Sequence, residues 1–105
     1  MLQMLVLSSF VLATAQGIVE SGLNPWAVGK AKERGAWQVI ERHHGKVPLS
    51  ILGQFKQYNG IMSALTREHG TVEKAIIRYN GAGPGARKYC RKVQKKALEI
   101  TLLGV

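Results

Sequence analysis

The first nineteen residues of this 105-residue chain carry no charge, and the first charged side chain is Glu20. From Leu2 to Glu20 the apolar residues run nearly all round a helix, with Leu7, Phe10, Val11, Thr14 and Ile18 at helical spacing. A helix apolar on every side must be covered on every side, so the rest of the chain has to wrap it. Ala13-Thr14-Ala15 has the small-residue form of a signal-peptidase site. No Lys or Arg precedes Lys30, however, so the positive region of a signal peptide is missing. The segment is read as a buried helix, too short and too interrupted by Ser, Thr and Gln to span a bilayer.

Gly22 is expected to stop this helix, and Asn24-Pro25 to turn the chain. From Val28 to Ile40 the spacing changes. Val28, Gly29 to Gly35, Trp37 and Val39 read as a small hairpin or an irregular β-like excursion. Pro48 is expected to open the next helix at its first position. Ile51, Leu52, Phe55, Tyr58, Met62 and Leu65 form its apolar stripe, and Gly70 ends it. Thr71 then caps a short helix, Val72 to Asn80, with Glu73 in its first turn. The loop Gly81 to Gly85 reads as non-helical. A last helix from Ala86 to Leu103 places Tyr89, Val93, Ala97 and Ile100 on one side. No repeat, linker or low-complexity tract divides residues 1–105, so one domain is expected, of α+β class and mostly α-helical. With Cys90 as the only cysteine, packing alone must hold it.

Fifteen Lys and Arg stand against six acidic residues, all glutamate, for a net charge of +9. Such a field attracts polyanions: nucleic acid, an anionic membrane surface, or a bacterial wall. Arg87, Lys88, Arg91, Lys92, Lys95 and Lys96 cover much of the last helix. A nucleic-acid module would interleave aromatics with these cations or show a recognition helix, and only Tyr89 hints at either. The absence of aspartate excludes a Ser-His-Asp triad, though a Glu could substitute. His43-His44 and His69 lack metal-ligand spacing, so no metal site is expected. Gly81 to Gly85 follows a helix and lacks GK[ST], so no nucleotide loop is expected either, and no cofactor is implied. Cys90 lies among Arg87, Lys88 and Arg91, which would lower its pKa. It is read as a small, partly buried residue rather than a nucleophile.

Glu20 is the exception among the glutamates. It falls in the last turn of its helix, facing the negative end of the dipole, with Ile18, Val19 and Leu23 beside it. Both effects raise a carboxyl pKa. A carboxylic acid kept protonated near neutral pH suits cleavage of a glycosidic bond. The bland alternative is an exposed glutamate at a fraying helix end.

Three segments bear on that choice. Val19-Glu20-Ser21-Gly22-Leu23-Asn24-Pro25 resembles the ESG-x-NP segment of lytic transglycosylases. Gly35-Ala36-Trp37-Gln38 resembles their GLMQ segment, with Ala-Trp in place of Leu-Met. Ala75-Ile76-Ile77-Arg78-Tyr79-Asn80-Gly81-Ala82-Gly83-Pro84-Gly85 resembles their ALAAYNAGPG segment, and Tyr89 and Lys92-Val93 echo what often follows. The three occur in family order and cover nearly the whole chain. The resemblance implies a lysozyme-like fold in which Glu20 is the catalytic acid/base and Tyr79 reaches its carboxyl through the hydroxyl. It further implies that Ser21 lines the cleft, that Gln38 and Asn80 contact substrate, and that the loop at Gly81 brings backbone close to sugar. Trp37 either stacks on a sugar ring or fills the core, the core being preferred. Gln54 to Gly60 departs from the family's Asn-Ile-x-x-Gly pattern, which puts cleft contacts there in doubt.

An ordinary glycosidase uses two carboxylates. Only Glu33 and Glu41, flanking the excursion, are close candidates in sequence, and a muramidase using either is the first rival reading. The resemblance implies a route that needs neither. Glu20 acts as acid and then as base on the substrate's own C6 hydroxyl, leaving a 1,6-anhydro-N-acetylmuramyl end. The implied partner is peptidoglycan, with no nucleic acid and no membrane insertion, and the expected state is a monomer. The expected setting is the cell wall, periplasmic or extracellular, and a virion protein would fit. The rivals of another class are a basic nucleic-acid-binding module and a wall-binding protein without activity.

Overall fold

The computed structural model describes residues 9–81 and 83–103. The expected helix start from Leu2 to Leu7, and Ala82, lie outside the described residues. The described chain is mainly helical: α1 (Ser9–Ser21), α2 (Glu41–His44), α3 (Ile51–His69), α4 (Val72–Asn80) and α5 (Pro84–Leu103). The β component reduces to isolated antiparallel bridges, Val28 with Arg34 and Arg34 with Val39, so the excursion is irregular and forms no hairpin. The short helix α2 that follows it has no counterpart among the expected elements.

The helix ends follow local chemistry. Gly22, at φ +71°, donates to Ile18 O and closes α1. Ser50 caps α3 by accepting from the amide of Gly53, so Pro48 lies ahead of the cap and does not open the helix. Gly70 ends α3 in the left-handed conformation. Thr71 caps α4 by accepting from the amide of Lys74. Each such cap stabilises by about 1 kcal/mol. The glycine loop is shorter than expected, because Pro84 and Gly85 belong to α5. Proline fits a first turn, where its missing N–H costs nothing.

Helices as short as α2 and α4 are marginal in isolation, so packing holds them. Helix α1 packs chiefly on α5, and α4 packs on both α3 and α5. The core gathers Ala13 and Ala15 of α1, Tyr58 and Met62 of α3, Ala75 and Ile76 of α4, and Tyr89, Val93 and Ala97 of α5. Burial of one large side chain such as Ile76 stabilises by roughly 1.5–3 kcal/mol. The expected stripe on α3 is only partly used: Ile51 and Leu52 are exposed, and Gln54 is buried in their place. The Cα radius of gyration, 12.9 Å, is that of a closely packed globule of this length rather than an open helical array.

Two side chains fix the excursion on the helices. Trp37 donates through Nε1 to Ala13 O at 2.8 Å and stacks on Tyr58 at 5.3 Å between ring centroids. Its indole lies against Gly17, where a Cβ would come 3.0 Å from Nε1. The buried amide of Gln54 joins three segments. Its Oε1 accepts from Ala36 N at 2.8 Å, and its Nε2 donates to Pro25 O at 3.0 Å and Pro48 O at 2.9 Å. A fully paired amide of this kind specifies one arrangement, since any shift would strand buried polar atoms.

Candidate functional site

Glu20 sits at the C-terminal end of α1, partly buried, where the packing of α1 on α5 brings Tyr89 against it. The Tyr89 hydroxyl donates to Glu20 Oε2 at 2.6 Å. Burial raises the Glu20 pKa above the ordinary 4.5, the Tyr89 hydrogen bond opposes that rise, and the negative field of Glu33 adds to it. Burial, followed by the charge of Glu20, holds the Tyr89 phenol far above its ordinary range, so it remains a donor. Glu20 Oε1 makes no hydrogen bond among the described residues.

That free oxygen belongs to a residue lining an open cavity of about 330 Å³, whose walls include Asn80, Gly85, Lys88, Tyr89 and Lys92. A carboxyl biased toward its protonated form, anchored through one oxygen and bordering an open cavity, can act as a general acid. The two lysines favour an anionic or electron-rich ligand beside it.

Behind Glu20 lies an aromatic layer. Tyr58 donates to Gln16 Oε1 at 2.6 Å and meets Tyr79 edge-on at 5.7 Å between centroids. After burial, the charge of Glu20 is the next cause of the raised pKa of both tyrosines, so its field reaches both hydroxyls. Gln16 is wholly buried on α1, one turn before Glu20. Among the described residues its Nε2 has no hydrogen-bond partner, yet Gln16 lies near enough to Tyr89 to lower that phenol's pKa against the larger raising effects.

The expected site residues divide. Glu20 and Asn80 share the cavity. Tyr79 does not bond Glu20: its hydroxyl donates to Trp37 O at 2.6 Å and ties α4 to the excursion, and Tyr89 makes the expected contact instead. Trp37 is 4% exposed and belongs to the core, where it cannot stack on a ligand. Ser21 braces the chain, donating to Ala36 O at 2.8 Å and accepting from Asn24 N at 3.0 Å. Gln38, at φ +51°, uses its Nε2 on Gly35 O and Ala27 O within the excursion. Gly81 borders a different cavity, formed with His69, Lys74, Arg78 and Arg87. Glu41 is occupied by Arg34 at 3.2 Å and by the amide of Val47 at 2.8 Å. Cys90 is buried more deeply than expected, and burial pushes its thiol pKa up rather than down.

Comparison of the chain with protein-family models, curated proteins and solved structures found no match.

Tyr89 reads in the sequence as one member of an apolar stripe, and its spacing with Val93 and Ala97 predicts its burial. Nothing in a linear pattern says that its hydroxyl, 69 residues from Glu20, ends on that carboxyl. Among the described residues no group of three His, Cys, Asp or Glu side chains is placed to hold a metal ion.

Proposed function

We propose that this chain is a peptidoglycan lytic transglycosylase with a lysozyme-like fold, cleaving the bond between N-acetylmuramic acid and N-acetylglucosamine. The observation that carries the reading is Glu20. Its carboxyl is held by Tyr89 at 2.6 Å, its pKa is raised chiefly by burial, and it borders a cavity flanked by Lys88 and Lys92. The ordered resemblance of three segments to the family supplies the reaction class.

In this reading protonated Glu20 gives its proton to the glycosidic oxygen as the C1–O bond breaks. The resulting carboxylate takes the proton of the muramic acid C6 hydroxyl while that oxygen bonds to C1. The product is a 1,6-anhydro ring, and Glu20 ends protonated as it began. Intramolecular attackers reach effective molarities on the order of 10⁵ M or more, so water competes poorly. The basic side of α5 would hold the enzyme on the anionic wall as a monomer. Among the described residues no helix is long and apolar enough to cross a membrane.

A two-carboxylate muramidase is the second reading, and the field of Glu33 at Glu20 favours that partner over Glu41, which Arg34 and Val47 engage. Mass spectrometry of digested sacculi separates the two. Transglycosylation leaves muropeptides one water lighter and without a reducing muramic acid, and Glu33→Gln leaves that pattern unchanged. Dominant reducing ends, lost on Glu33→Gln, would establish hydrolysis instead.

A further inference from the structure

Between α4, the end of α3 and the start of α5 lies a second, larger cavity of about 520 Å³, whose walls include His69, Lys74, Ile77, Arg78, Gly81 and Arg87. We propose that it is a carboxylate-binding subsite that takes the stem peptide carried by the muramic acid residues of the glycan, a proposal resting on the function proposed above.

Charge is the first argument. Lys74, Arg78 and Arg87 line the cavity, and none of their side-chain cations forms an ion pair or hydrogen bond among the described residues. The single carboxylate on the wall, Glu68, lies 3.9 Å from His69 and is mostly exposed, so it leaves the cavity cationic. Three cations around one concavity repel one another until an anion enters. Arginine is also the side chain best shaped to hold a carboxylate through paired hydrogen bonds. The start of α5 adds the positive end of a helix dipole on the same wall.

Position is the second argument. Asn80 and Gly85 border the Glu20 cavity, whereas Arg78, Gly81 and Gly83 border the cationic one. Asn80 and Gly81 are consecutive, so residues bordering the two cavities adjoin in the chain, about 3.8 Å between Cα atoms. A glycan residue seated beside Glu20 can send its anionic substituent over this turn. The lactyl-linked peptide of muramic acid is such a substituent, ending in carboxylates. A nucleic acid would need no such pairing of a general acid with a separate anion cavity.

Binding tests the subsite apart from catalysis. Titration calorimetry on the Glu20→Gln variant of the 105-residue chain would compare a reduced GlcNAc–MurNAc-tetrapeptide with the same disaccharide lacking peptide. The peptide-bearing ligand should bind about tenfold tighter, the effect of a charge-assisted contact. That advantage should vanish in a background of Arg78→Glu, or of Arg87→Gln should the first variant fold poorly. It should survive Lys95→Glu, which alters an exposed part of α5 outside the cavity. Equal affinity for the two ligands, or an advantage that outlasts both arginine substitutions, overturns the proposal. So does a single-stranded oligonucleotide that binds more tightly and is released by the same substitutions. Wild-type digestion of sacculi provides the separate check: absence of anhydro products there defeats the enzymatic reading, while the binding comparison still decides what the cavity takes.

Discussion

Tyr89 of α5 and Glu20 of α1 form a 2.6 Å hydrogen bond with the phenol donating, and it joins the most extensively packed pair of helices at the candidate acid. The bond has two effects that can be separated. It orients one carboxyl oxygen, and it favours the charged form of Glu20 against a burial effect that is larger.

Tyr89→Phe therefore should raise the Glu20 pKa further, because the donor that stabilises the carboxylate is removed. The high-pH limb of the activity profile, where the general acid loses its proton, should move upward. Turnover should fall by roughly one to two orders of magnitude as orientation is lost. The pH profile of sacculus digestion checks both effects, and an unmoved limb would mean that the bond does not tune Glu20.

Tyr79→Phe should behave differently. Its hydroxyl serves the carbonyl of Trp37, so the loss falls on stability, by about 1–2 kcal/mol. Denaturant unfolding should show the loss, with turnover at permissive temperature within a few-fold of wild type. A hundred-fold loss of activity in a stable protein would restore Tyr79 to the chemistry.

Glu20→Gln should abolish lysis and also alter how stability depends on pH. The folded-state pKa of Glu20 is raised above 4.5, so the native state binds its proton more tightly than the unfolded chain. The wild type thus holds this contribution fully below the unfolded value and loses it as pH rises through the folded pKa. A Gln cannot ionise and escapes the loss. Melting temperatures of the two proteins should diverge in favour of the variant from mildly acid to neutral pH. Parallel curves would show that Glu20 ionises as freely in the fold as in the unfolded chain.

The two tryptophans offer a check on the fold itself. Trp26 is 70% exposed and Trp37 is 4% exposed. Trp26→Phe should leave a protein whose emission is blue-shifted and resists acrylamide, because the remaining indole is enclosed by Tyr58, Phe55 and Gly17. Easy quenching in that variant would place Trp37 outside the core.

The helix-forming segments could be read from short-range pattern, because their determinants are local. Gly22 and Gly70 end helices, Thr71 caps one, and Val93, Ala97 and Ile100 recur at helical spacing. The singularity of Glu20 was legible for the same reason, since its helix-end position and apolar neighbours lie within a few residues. Local signals also misled: Ile51 and Leu52 fit the stripe of α3 but are exposed, while Gln54 is buried because its amide satisfies three distant backbone groups. What tertiary structure alone decided was the pairing of side chains across the chain. Tyr79 and Tyr89 are both buried or partly buried tyrosines on neighbouring helices, and either sequence position could have supplied the donor. The packing of α1 on α5 gives Glu20 to Tyr89, and the seating of the excursion against α4 gives Trp37 O to Tyr79. A hydroxyl's partner depends on angstrom-scale placement of helices far apart in sequence, and periodicity does not encode that distance.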